Sequence, residues 1–105
     1  MRNLPEDIRQ KLLSLKNQYQ AEGFVILGVF GSVARGEETP DSDIDLLYQV
    51  EKPFLLEHSG FKALQRLDRI KQELTEALGR PVDLAPKNTS NRILLEEVER
   101  DLLYV

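Results

Sequence analysis

A chain of 105 residues, 41% hydrophobic and 30% charged, is sized for one domain with a modest core, and this composition excludes a coiled coil or a disordered tail. Cysteine is absent, which excludes disulfides and thiolate metal sites and leaves oxygen donors and the single His58 for any metal. The formal charge of -4 argues against broad capture of nucleic-acid phosphates, and no run approaches the ~18 apolar residues of a membrane span. With no signal-like apolar run in MRNLPEDIRQ either, the expectation is one cytoplasmic domain without a linker, a membrane contact or direct nucleic-acid binding.

Ile8, Leu12, Leu15 and Tyr19 recur at helical spacing, which predicts an amphipathic helix from Pro5 to Tyr19, with Asn3 as its cap and an end near Gly23. Phe24 to Phe30 is an almost unbroken apolar run, short and rich in Val and Ile, as expected of a central strand covered on both faces. Gly31-Ser32 then turns the chain, Val33 to Gly36 makes a helical turn or two, and Glu37 to Ser42 forms a polar loop. Asp43 to Val50 alternates, with Ile44, Leu46 and Tyr48 on one face and Asp43, Asp45, Leu47 and Gln49 on the other, and reads as a second strand. In the connector PFLLEHSG, Phe54-Leu55-Leu56 either packs on the sheet or forms a partner-facing loop, and His58 is a surface or cap residue. Phe61, Leu64, Leu67, Ile70, Leu74 and Leu78 mark a long helix closed by Gly79. Val82 to Ala85 is a short third strand, and a last helix runs from about Ser90 with Leu94, Val98 and Leu102 inward. Tyr19, Tyr48 and Tyr104 are read as packing residues. The order α-β-α-β-α-β-α predicts an α/β (α+β) fold, a small mixed β-sheet with helices packed on it.

Chemistry is concentrated in the acids. Glu37, Glu38, Asp41, Asp43 and Asp45 cluster and suggest a negative pocket for a divalent cation. Two aspartates at i and i+2 on a strand share a face, with Cα atoms roughly 6.5 Å apart, so their carboxylates can converge on one ion. Packed like charges repel unless a cation or donors neutralise them, and Mg²⁺ suits a few carboxylates completed by water and phosphate. The plainer reading has Asp43 turning the start of the strand and Asp45 facing solvent. Gly31-Ser32 follows the buried strand and precedes a helical turn, so backbone N–H groups and the Ser32 hydroxyl can point at an anion, although Gly-Ser is also common turn chemistry. Arg35 can reach the same phosphates or pair with Glu37 or Asp41. Asp83, between Val82 and Leu84, is either a third acid for the cluster or an exposed strand-end residue.

The pattern Gly-Ser, ten residues, Asp-x-Asp, here GSVARGEETPDSDID, resembles the motif of the polymerase-β-like nucleotidyltransferase superfamily, and most closely its minimal nucleotidyltransferases, the MNT or MntA-like antitoxins. The apolar strand before Gly31, Ala34-Arg35-Gly36 after it, Ser42 before the first acid and Leu46 after the second match further, as do GRPVDLA and the LLYV end. The resemblance implies a nucleotidyltransferase fold and transfer of a nucleoside monophosphate from a triphosphate. It implies Asp43, Asp45 and Asp83 as catalytic and metal-binding acids, and Gly31, Ser32, Arg35 and Ser42 as the nucleotide-binding set. It also implies two Mg²⁺ ions, ATP as substrate, and a hetero-oligomer with a HEPN-domain ribonuclease toxin, a tyrosine of which receives AMP. In that scheme Asp43 and Asp45 hold both ions, Asp83 ligates the second and takes the proton, Ser32 and the Gly31 backbone hold the terminal phosphates, and Arg35 offsets charge as pyrophosphate leaves. Two alternatives stand beside it: a nucleotide-binding antitoxin that neutralises its partner by binding alone, and an enzyme with a small-molecule or RNA-end acceptor.

Overall fold

The computed structural model describes residues 4–37, 39 and 42–105, so the Asn3 cap and the Glu38 and Asp41 members of the acidic run lie outside the described residues. Helix α1 (Glu6–Gln20) buries Ile8, Leu12 and Tyr19 along one stripe, and Glu6 and Asp7 in its first turn suit the positive end of the helix dipole. Strand β1 (Phe24–Phe30) follows and runs into a single helical turn, α2 (Gly31–Arg35). Strand β2 (Ile44–Val50) pairs antiparallel with β1, and β3 (Val82–Pro86) pairs parallel with β2. Between β2 and β3 lie α3 (Lys52–Glu57) and α4 (Phe61–Leu78), and α5 (Arg92–Asp101) leads into β4 (Leu103–Tyr104).

The sheet has the order β3-β2-β1-β4 and is mixed, as the element pattern predicts. Alternation along the strands sorts the side chains into two layers. Ile44, Leu46 and Val82 face the main core with Leu12 of α1 and Ile70 and Leu74 of α4. Leu47, Ala85 and Phe30 face the other way and are covered by Leu94 and Val98 of α5 and by Leu102. The even residues of β2 therefore build the core, and the odd ones, Asp45 among them, share the α5 face.

The structure departs from expectation in four places. The PFLLEHSG connector contains helix α3, started by Pro53 in its first turn, and it resolves the apolar triplet: Phe54 is buried while Leu55 and Leu56 face outward. Helix α4 has the expected bounds, but Phe61 is 83% exposed and Leu64 63%, while Ala63 and Leu67 of the same turns pack against the core and full burial begins at Ile70. The last helix starts at Arg92, with the Asn91 side chain accepting the Leu94 N–H at 3.2 Å as its cap. The chain end adds a fourth strand that two residues were too few to signal. In it Leu103 packs on the core and Tyr104 points out, so Tyr104 is not the packing residue expected, whereas Tyr19 is buried and Tyr48 stacks on Phe24 at 4.9 Å. His58 caps α3 with its ring 4.8 Å from that of Phe54. Among the described residues no helix is long and apolar enough to cross a membrane.

Candidate functional site

Asp45 is the second residue of β2, and sheet register sets it beside Phe30 on β1 and beside Asp83 on β3. Residues opposite one another in a parallel pair project from the same face on strands about 4.8 Å apart, so the two aspartates are neighbours on the α5 side. Gly31 follows Phe30 with φ +80°, a left-handed conformation that favours glycine. A Cβ built there would overlap the Asp45 Oδ2 atom and stand 3.2 Å from its Cγ, so the Asp45 carboxylate lies directly over the Gly31 backbone. Glycine is required at this position both for the turn and for the space.

The local field on Asp45 is dominated by other acids. Burial, and then the negative charges of Asp83, Glu97 and Asp43, push its carboxyl up to about 6, with Arg35 acting in the opposite direction. A half-buried carboxylate against three acids is a site that a cation would relieve. The donors are all carboxylate oxygen, the set that suits a small hard ion such as Mg²⁺, and Asp45, Asp83 and Asp43 are the residues that could hold one. Among the described residues no three acids or histidines are already gathered as a cage, since the Asp83 carboxylate is 56% exposed and lies 3.7 Å from the Lys71 ammonium.

The remaining expected residues divide. Ser32 sits half-buried in the first turn of α2, where helix N–H groups have no intrahelical acceptor. Asp43 lies just before β2 rather than within it and is exposed. Ser42 closes a turn with Thr39, its hydroxyl accepting the Thr39 N–H at 2.8 Å and its own N–H donating to the Thr39 carbonyl at 3.0 Å. Of the partners expected for Arg35, Glu37 is present, accepting from Nε at 2.9 Å. The other partner was not foreseen: Nη1 donates at 2.7 Å to Asp101, whose side chain is fully buried at the end of α5.

Sequence reasoning also missed Glu97. The signal was available in its spacing: Glu97 comes three residues after Leu94 and one before Val98, both of which lie on the Phe30, Leu47 and Ala85 layer. The helix face that covers Asp45 therefore carries an acid of its own. A cavity of about 450 Å³ lies at the opposite end of β2 between Tyr48, Val50, Phe54, Ala63, Leu67 and Pro86. It contains no carboxylate and is remote from Asp45 along the strand.

Comparison with known proteins shows the family of the chain. The family model described as nucleotidyltransferase domain matches residues 8–104. The protein adenylyltransferase MntA of Thermococcus cleftensis is 31% identical over 101 residues, covering 95% of this chain and 94% of the relative. A solved structure described as a minimal nucleotidyltransferase superposes with a TM-score of 0.72 at 32% identity, covering 95% of this chain and 94% of the other. A complex of a tri-AMPylated Shewanella oneidensis HEPN toxin with an MNT antitoxin gives a TM-score of 0.59 at 18% identity, over 92% of this chain and 67% of that one, a likeness of fold.

Proposed function

Because the chain belongs to the nucleotidyltransferase domain family, we propose that it transfers AMP from ATP to a tyrosine of a HEPN-domain ribonuclease toxin, acting as the antitoxin of a type VII-like pair. The observation that carries this reading is the placing of Asp45: it lies over Gly31 and beside Asp83, in a field of acids with Arg35 opposing. The partner and the acceptor are supported by relatives, one a protein adenylyltransferase and one an MNT antitoxin in complex with an AMPylated HEPN toxin.

In this reaction the tyrosine oxygen forms a bond to the α-phosphorus of ATP, the bond from that phosphorus to the bridging oxygen breaks, and pyrophosphate departs. Asp45, Asp83 and Asp43 would hold Mg²⁺, which when bound would supply charge neutralisation to the triphosphate and acidity to the attacking hydroxyl. Gly31 lets the backbone approach the phosphates, and the N–H groups of the first turn of α2 with the Ser32 hydroxyl bind their oxygens. Asp83, the more exposed of the paired acids, is the group that accepts the hydroxyl proton. Arg35 contributes positive charge on the side where pyrophosphate leaves.

The test is to incubate the chain with ATP labelled at the α-phosphate, Mg²⁺ and the HEPN partner. Label is expected on a partner tyrosine, with Asp45→Asn lowering the rate by at least about a thousandfold. A stable complex with no transferred label would favour neutralisation by binding and would overturn the proposal.

A further inference from the structure

Helix α2 is one turn long, too short to hold itself together, so its position must come from tertiary contacts. Val33 and Ala34 supply part of this by full burial. The last helical residue, Arg35, adds a tie to α5 through the 2.7 Å hydrogen bond from Nη1 to the Asp101 carboxylate. Asp101 is itself fixed. It ends α5, its side chain is fully buried, and two residues later β4 is pinned to β1 through the Val29–Leu103 pair. Arg100 Nε and Nη2 also donate to Asp101, at 3.0 and 3.1 Å. This carboxylate therefore accepts from two cations, and Arg35 is held on its other side by Glu37, which accepts from Nε at 2.9 Å. If packing were the only purpose, a buried apolar residue would serve as well or better than a buried acid. Arg35 shares its one-turn helix with Gly31, over whose backbone the Asp45 carboxylate lies.

We propose that Asp101 is a positioning residue that holds Arg35, and with it α2, where the guanidinium meets the triphosphate bound at Gly31 and Ser32. The inference rests on the nucleotidyltransferase reading above. It assigns to the end of α5 a role in donor binding that the acidic motif does not reveal.

The test is calorimetric titration of the full chain and its variants with a non-hydrolysable ATP analogue and Mg²⁺, alongside thermal melting. Arg35→Met and Asp101→Asn are each expected to weaken analogue binding by about tenfold, and the double variant by no more than Arg35→Met alone, because both remove the same interaction. Asp101→Leu, which keeps the site packed, covers the case in which Asp101→Asn does not fold, and it is expected to bind as weakly as Arg35→Met. Wild-type affinity in a folded Asp101 variant, or losses that multiply in the double variant, would overturn the positioning role alone. No binding by the wild-type chain would overturn both this inference and the nucleotidyltransferase reading beneath it.

Discussion

Asp45 and Asp101 are both aspartates withdrawn from water, one at the start of β2 and the other at the end of α5, and their surroundings treat the charge in opposite ways. Around Asp101, hydrogen bonds from Arg100 and Arg35 hold the carboxyl below the usual range despite burial. Around Asp45, burial and the charges of Asp83, Glu97 and Asp43 push it above that range, with Arg35 the opposing cation. A fold that neutralises one acid with two arginines and surrounds another with acids separates support from function. The satisfied carboxylate joins elements together, while the unsatisfied one stores repulsion that a bound cation would release.

The contrast is broken or upheld most strongly by neutralising each acid in turn. The raised value for Asp45 means that its contribution to stability is complete below the ordinary carboxylate range and is lost as pH rises through about 6. Asp45→Asn is therefore expected to raise the stability of Mg²⁺-free protein at pH 7.5 by about 2 kcal/mol, with the gain vanishing near pH 4. The lowered value for Asp101 has the opposite sign: its contribution is present above the ordinary range and fades as pH falls through the depressed value. Asp101→Asn should cost about 2 kcal/mol at pH 7.5. Urea titrations of both variants at the two pH values check the pair, and equal signs at pH 7.5 would remove the distinction.

A smaller effect separates two glycines that flank α2. Gly31 and Gly36 both have positive φ, +80° and +74°, but at Gly31 an added Cβ meets the Asp45 carboxylate, whereas at Gly36 nothing among the described residues stands within 4 Å. Gly36→Ala should cost about 1 kcal/mol from backbone strain alone and keep transfer activity. Gly31→Ala should cost at least about 1 kcal/mol more and lose activity, because Asp45 must move to admit the methyl. Denaturant melts paired with the label-transfer assay distinguish the two. The smallest expected effect is at Glu97: Glu97→Gln removes one of the charges facing Asp45 and should lower its ionisation midpoint by under about one pH unit. An unchanged midpoint would show that α5 does not contribute to the field.

Much of this arrangement was legible in the sequence, for reasons that differ by element. β1 was evident from an uninterrupted apolar run, and its bounds agree with the expected Phe24 to Phe30. The alternation from Ile44 onward correctly separated the core face from the face of Asp45, since a period of two admits only two assignments. α4 was evident as a helix, but its periodicity could not reveal that Phe61 and Leu64 are exposed, because exposure depends on which face of the helix other elements cover. β4 was hidden because two residues carry no pattern, and its pairing with Gly28 and Val29 joins positions far apart in the chain. The same separation hid the Arg35–Asp101 pair, whose members stand 66 residues apart. Asp45 and Asp83 could be nominated from spacing and resemblance, but only register makes them neighbours.

The central claim is that Asp45 carries a charge the protein leaves uncompensated until a cation arrives. It is tested most directly by following the Asp45 carboxyl carbon by NMR through a pH titration, first without divalent ions and then with saturating Mg²⁺. The account predicts a midpoint near 6 without the ion and a shift to below the ordinary carboxylate range when Mg²⁺ is present. A midpoint in the ordinary range that Mg²⁺ does not move would contradict it.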